Sequence, residues 1–255
     1  MVKQDLFLAI DIGNTTITLG LMKGQEVLRV QNLPTVQKAA ALSKELNAAL
    51  RKINILPADV VICSVVPSVL PKVCSAVHQV LGIRPQVIGK DILVPMINRY
   101  KNSRQVGQDR LVGAYAAMKL YGAPAVIVDL GTAITLDVVS RRGEYLGGII
   151  VPGIQLSAEM LFQRTALLPM AKIQKPRTLV GRDTQGSILS GIFYGYGEMI
   201  QGLIGRLKKT VKGTPKVVLT GGYATLMKGY LQDVPSRIDP HLVLKGIAMI
   251  LHFQK

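Results

Sequence analysis

The chain carries one turn twice. DIGNTTITLG, residues 11–20, and DLGTAITLD, residues 129–137, align with one gap. Asp11-Ile12-Gly13 lies over Asp129-Leu130-Gly131, and Ile17-Thr18-Leu19 over Ile134-Thr135-Leu136. Each copy sits between short apolar, β-branched runs: Leu6 to Ile10 and Thr15 to Leu21 around the first, Ala125 to Val128 and the run through Val139 around the second. Such runs read as buried strands. The spacing therefore predicts an α/β chain built by internal duplication. Each half opens with an antiparallel hairpin whose turn holds an acid and a glycine.

The intervening pattern supports two matching halves. Glu26 to Gln31 reads as a third strand. Leu42, Leu46, Leu50 and Ile53 mark one face of a helix over residues 38–53. Asp59 to Val66 is a strand bounded by Pro57 and Pro67, and Pro71 suits the first turn of a helix that Gly82 stops. Pro85 to Ile88 is a short strand, and residues 109–121 form a helix ending before Gly122. The cycle then restarts: a hairpin at Arg142-Gly143, a strand through Ile150, a long helix from Thr184 to Thr210, a strand from Lys216 to Leu219, and a last apolar helix from His241 to His252. The 255 residues accommodate two domains of roughly 100–150 residues. The expected halves are 1–116 and 117–255. Aromatics make up only 5% of the chain, with no Trp, so both cores must be aliphatic.

A glycine directly after an aspartate, between two strands, lets backbone approach a ligand closely. Thr15 and Thr132 add hydroxyls, and the free N–H groups of such a turn can face phosphate oxygens. Asp11 and Asp129 repel phosphate by themselves, so their presence there makes sense if a cation sits between. Two such turns facing each other across a cleft would clamp a nucleotide's phosphates from both sides. The plain alternative is a pair of β-turns in which Asp bonds its own backbone; two matched copies in matched strand contexts favour the phosphate reading. VVLTGGYA, residues 217–224, puts Gly221-Gly222 between a strand and a helix. Adenine could lie there against bare backbone, or the pair could be only a tight turn. Neither G-x-x-x-x-G-K-[ST] nor a G-x-G-x-x-G after a strand occurs, so a P-loop or dinucleotide fold is not supported.

The remaining composition limits the partners. With 31 Lys and Arg against 15 Asp and Glu, the net charge is +16. Basic surfaces serve nucleic acid, membranes or small anions. Here the basic residues are scattered and not interleaved with aromatics, so no nucleic-acid partner is expected. Cys63 and Cys74 form no metal or disulfide framework and read as buried thiols. His78, His241 and His252 carry no ligand spacing. Lys3 and Asp5 precede the first strand without a secretory h-region, and no apolar run reaches the roughly 18 residues of a membrane span. A reducing, cytoplasmic setting is expected, with no membrane association.

VGQDR, residues 106–110, adds an acceptor side. A kinase acting on a hydroxyl needs a carboxylate to accept or orient its proton. Asp109 can serve, and Arg110 can hold an anionic substrate through a bidentate contact. The spacing is equally compatible with Asp109 capping a helix and Arg110 as a solvated first-turn charge. The order DIGNT, DLGTA, TGG resembles the actin, hexokinase and Hsp70-like ATPase superfamily. Together with SVVP at 64–67, Tyr100, VGQDR, GGIIVPG at 147–153 and GRDT at 181–184, the chain resembles type III pantothenate kinases over nearly its whole length.

That resemblance implies duplicated actin-like, ribonuclease H-like domains with a nucleotide cleft between them. The reaction it implies is ATP-dependent phosphorylation of the primary hydroxyl of pantothenate, the first step toward coenzyme A. Asp109 would be the general base, and Arg110 would hold the pantothenate carboxylate. Tyr100, Gly107, Gln108 and Thr184 would complete that pocket; otherwise Tyr100 is an exposed aromatic, Gly107 a turn residue and Thr184 a helix N-cap. Asp11, Ile12, Gly13, Asn14 and Thr15, with Thr132, would hold the phosphates. Asp11 would help place Mg²⁺, and Asp129 a monovalent cation, K⁺ or NH₄⁺. Gly221 and Gly222 would lie near the adenosine. The family implies a cytoplasmic homodimer joined through the second half, for which the apolar, glycine-rich 186–204 segment is a candidate; buried core of the single chain explains that segment equally well. Two rival readings remain: a related kinase with another hydroxyl acceptor, such as a sugar, and a catalytically idle nucleotide-binding regulator.

Overall fold

The structure, a computed structural model, describes residues 6–35, 39–53, 57–211 and 213–254, without the side chains of residues 39 and 40. Lys3, Asp5 and the predicted helix start at residue 38 lie outside the described residues. The chain divides into two compact units, residues 1–116 with 241–255, and residues 117–240.

The first unit is built on β1 (Leu6–Ile12), β2 (Thr16–Lys23), β3 (Glu26–Pro34), α1 (Ala39–Arg51), β4 (Asp59–Ser64), α2 (Leu70–Leu81) and β5 (Gln86–Val87); α3 (Gln108–Tyr121) carries the chain across the boundary at residue 116. The sheet order is β3-β2-β1-β4-β5, with β1 antiparallel to β2 and parallel to β4. β1 is central because LFLAI is apolar on both faces. Leu8, Ile10 and Ile12 point toward Leu42, Leu46 and Leu50 of α1 and Val73 and Val77 of α2. Burying each such side chain contributes about 1.5–3 kcal/mol, so a core of this size needs no aromatics.

The second unit repeats the plan. It holds β6 (Ala125–Leu130), β7 (Ala133–Val139), β8 (Tyr145–Pro152), α4 (Ile154–Arg164), α5 (Thr184–Thr210), β9 (Lys216–Thr220), the single-turn α6 (Ala224–Met227) and β10 (Ser236–Ile238). The sheet order β10-β9-β6-β7-β8 is that of the first sheet read from the other edge. β6 takes the place of β1, antiparallel to β7 and parallel to β9. Val126, Val128 and Leu130 pack with Leu189, Ile192, Phe193 and Ile200 of α5 in one core. The apolar side of α5 is thus core of its own unit, the second of the two readings the sequence left open.

The C-terminal helix, α7 (Leu242–Gln254), departs from the expected halves. It belongs with residues 1–116 rather than closing the second half. It packs on the face of the first sheet that α1 and α2 leave: Phe7 meets His252 edge-on, ring centroids 6.1 Å apart at 85°. α4 and β10 had no counterpart in the sequence reading, and the helix expected after Gly222 is the single-turn α6. No helix among the described residues is long and apolar enough to cross a membrane.

Candidate active site

Strand pairing brings together three motifs that are distant in the first unit's sequence. Asp11 is the register partner of Cys63, and Ile12 of Ser64. Where β4 ends, the Val65 N–H donates to Ile12 O at 3.1 Å, and the Val66 N–H donates to Ser64 Oγ at 3.1 Å. SVVP is therefore tied to the start of DIGNT. Val65 in turn touches Gly107, where an added Cβ would stand 3.3 Å from Val65 Cγ1 and 2.5 Å from Asp109 Oδ1. The Cys63 thiol reports both acids. Burial, then the negative charges of Asp11 and Asp109, push it well above an ordinary cysteine's range. It stays a protonated packing group, and the two carboxylates it senses share one end of β1 and β4.

Asp109 sits in the first turn of α3, where helix N-termini favour negative charge. Its Oδ1 accepts the Arg110 N–H at 2.7 Å. α3 starts at Gln108, so Asp109 stands inside the first turn rather than capping the helix as the alternative had it, and the bond from its neighbour's N–H orients the carboxylate. Arg110 is half-buried, not the solvated charge of that alternative. Gln108 leans over Gly89, whose added Cβ would stand 2.7 Å from Gln108 Cδ. Tyr100 is half-buried in the loop before α3, its N–H donating to Asn98 Oδ1 at 2.9 Å.

The two turns are pinned alike, by Thr35, which the sequence reading missed, and by Gly153, the last residue of GGIIVPG, whose role it did not assign. In the first, the Thr35 hydroxyl donates to Gly13 O at 2.8 Å and its N–H to Thr15 O at 2.9 Å. In the second, the Gly153 N–H donates to Thr132 O at 3.0 Å. A Cβ on Gly153 would overlap the carbonyl oxygens of Gly131 and Thr132. Thr35 follows Pro34 at the end of β3, and Gly153 follows Pro152 at the end of β8, so equivalent positions do equivalent work. The signal was present in the sequence as two prolines ending the third strand of each half. Asn14, Thr15 and Thr132 are exposed at the turn tips.

In the second unit, β6 and β9 bring DLGTA beside TGG: Asp129 pairs with Thr220, and the Tyr223 N–H donates to Leu130 O at 3.1 Å. The two glycines have different jobs. Gly221 has φ +86°, and a Cβ there would overlap Asp129 Oδ1 and stand 2.7 Å from Leu130 backbone atoms. Gly222 is exposed and would meet nothing within 4 Å. Gly221→Ala should therefore cost roughly 1–3 kcal/mol in strain, seen as a melting temperature lower by about 3–10 °C. Gly222→Ala should leave the melting temperature alone and act only through ATP. Equal melting of the two variants in a thermal scan would refute this division.

Thr184 is the first residue of α5, and the N-cap foreseen there is instead Asp183, whose Oδ1 accepts the Gly186 N–H at 2.6 Å. Cys74, expected buried, is only partly so.

The donor sets suit the cations that kinases use. Among the described residues no group of three or more His, Cys, Asp or Glu could hold a metal ion by itself. Mg²⁺ bound with a nucleotide needs none, since it takes one or two carboxylates plus phosphates and water. Asp11 fits: its Oδ1 is buried and accepts no hydrogen bond among the described residues, while the residue as a whole has other interactions. The Asp129 carboxylate lies close against Gly131 and Gly221, while the residue has other interactions as well.

Comparison with known proteins points to a kinase. The family model described as type III pantothenate kinase matches residues 7–206. The chain is 42% identical over 252 residues to the type III pantothenate kinase of Persephonella marina, covering 95% of this chain and 96% of that one. It is 36% identical over 254 residues to that of Moorella thermoacetica, covering 96% and 98%. Among solved structures, component A of (R)-2-hydroxyglutaryl-CoA dehydratase from Acidaminococcus fermentans is similar at TM-score 0.57 and 14% identity, covering 97% and 96%. A ROK family glucokinase from Streptomyces griseus, in complex with glucose and AMPPNP, is similar at TM-score 0.55 and 12% identity, covering 96% and 98%. At such identities the structural likeness speaks for the fold alone, a duplicated actin-like one.

Proposed function

We propose residue roles from one premise: the chain belongs to the type III pantothenate kinase family. It phosphorylates the primary hydroxyl of pantothenate with ATP and a divalent cation, giving 4'-phosphopantothenate, the first step of coenzyme A biosynthesis. Asp109 is the general base, and Arg110 binds the pantothenate carboxylate, with Tyr100, Gly107, Gln108 and Thr184 around the acceptor. Residues 11–15 and Thr132 bind phosphate, Gly221 and Gly222 lie near the adenosine, Asp11 holds the divalent ion, and Asp129 holds K⁺ or NH₄⁺. The observation that carries the catalytic assignment is the meeting of DIGNT, SVVP and Asp109 at one end of β1 and β4.

Phosphoryl transfer asks for positioning and charge neutralisation more than covalent work. Bound Mg²⁺ supplies neutralisation of charge on the phosphates. The Gly13 N–H is spent on Thr16 O at 3.0 Å, which fixes the turn and leaves Asn14 and Thr15 exposed at its tip. Asp109, oriented by the Arg110 N–H, accepts the proton of the attacking hydroxyl. Arg110 fixes that substrate at its far end by its carboxylate.

A homodimer joined through the second unit is part of this reading, with a cytoplasmic location. It is supported by α4, which leaves Leu156, Met160, Leu161 and Phe162 exposed. The outward side of α5 adds Gly191, Gly195 and Gly202, where a Cβ would meet nothing within 4 Å.

ADP release from ATP and Mg²⁺, with and without pantothenate, in K⁺ and then Na⁺, tests the reading. Turnover that needs both pantothenate and K⁺ is expected. Turnover with pantothenate in either salt would retain the kinase and remove the cation from Asp129.

A further inference from the structure

The two hairpins match at their turns and differ one step below them. In each, a threonine faces the aspartate across the strand pair: Thr18 opposite Asp11, Thr135 opposite Asp129. Directly paired residues share a sheet face, so each threonine stands on its aspartate's side. Two residues further along the same face the halves diverge. The first half has Gly20, and Leu244 of α7 fills the space, 2.7 Å from where a Cβ would be. The second has Asp137, 2% exposed. Its carboxylate accepts the Thr135 hydroxyl at 2.9 Å and the Tyr145 hydroxyl at 2.7 Å.

A threonine hydroxyl has one proton and two lone pairs, and an ionised carboxylate can only accept. Asp137 therefore takes the proton of Thr135. On its remaining sides Thr135 Oγ1 presents lone pairs only. An oxygen fixed in that state is a cation ligand. Gly20 offers Thr18 no such acceptor, so the device exists only in the half whose aspartate is assigned the monovalent ion.

We infer that Thr135 is a second oxygen ligand for the monovalent cation at Asp129, and that buried Asp137 is the positioning residue that turns its proton away. The inference rests on the assignment of that cation to Asp129. It assigns Thr135 and Asp137 to binding of the ion rather than to folding alone.

The test is the melting temperature of the full chain, with K⁺ titrated against N-methylglucamine at constant ionic strength, which gives a half-saturation concentration without any turnover. The unsubstituted protein should be stabilised by K⁺, and Asp129→Asn should lose the response. Thr135→Val and Asp137→Asn should each raise half-saturation roughly 10–100-fold, the usual cost of disturbing a ligand or its support. Thr135→Ser, which keeps the hydroxyl, should stay near the original value. It also guards against a valine variant that fails to fold, because a serine variant with a normal response beside a weakened Asp137→Asn supports the inference alone. If Asp129→Asn abolishes the response while Thr135→Val and Asp137→Asn keep it, the inference is overturned and the Asp129 site stands. A protein indifferent to K⁺ from the outset overturns both.

Discussion

Asp109→Ala should lower kcat by about 10²–10⁴, the usual size of a general-base contribution, with little change in KM for ATP. The expectation comes from where the carboxylate stands. It is in the first turn of α3, one oxygen is engaged by the Arg110 N–H, and the helix terminus favours its charged form. An ionised, pre-oriented carboxylate can take the acceptor's proton without first giving up a proton of its own. Asp109→Asn separates charge from shape. The amide keeps the volume but cannot serve as a base, so it should be nearly as slow as alanine. An asparagine variant close to full rate would mean that the side chain only shapes the pocket. A folded alanine variant with near-normal kcat would remove Asp109 from the reaction altogether.

How far the sequence foretold this arrangement depends on whether a feature is local. Strand runs such as Leu6–Ile12 and the stop of α2 at Gly82 are written in neighbouring residues, and they stand within one to three residues of where the pattern put them. α4 is not written that way. It buries only Ile154 and Ala158 and exposes apolar Leu156, Met160, Leu161 and Phe162, so it has no single apolar stripe for a helical period to reveal. α7 is apolar all round and carries no address; its place on the first sheet depends on the hollow at Gly20, more than 220 residues earlier. The site shows the same divide. Each motif was legible as a turn with an acid and a glycine. That Val65 touches Gly107 was not, because the two are far apart in sequence and no local pattern records their contact. The plain alternative for Thr184 was a helix cap, because threonine is a common one. Asp183, one residue earlier, is as good an acceptor and has the extended backbone a cap requires.

Gly107→Ala is the sharper probe of the catalytic geometry, because it leaves every charged group in place. Gly107 lies between Val65 and the Asp109 carboxylate, and its φ does not demand glycine. The constraint is close approach: a methyl would come within 2.5 Å of Asp109 Oδ1. Val65 cannot withdraw easily, since its backbone is tied to Ile12 at the end of the central strand. The carboxylate is the part that can swing, so the added methyl should displace it by roughly 1 Å, a misplacement that can cost about 10²-fold in rate. The loss should fall on kcat, with KM for ATP near its original value and a melting temperature shifted little, because residue 107 is only half-buried. Were Gly107 instead required as bare backbone against pantothenate, the loss would appear mainly as a higher KM for pantothenate. The double variant Gly107→Ala with Asp109→Ala decides between these. If the glycine acts through the carboxylate, the double variant should be no slower than Asp109→Ala alone, since the group being misplaced is already gone. Independent, multiplicative losses would mean that Gly107 contacts the substrate in its own right.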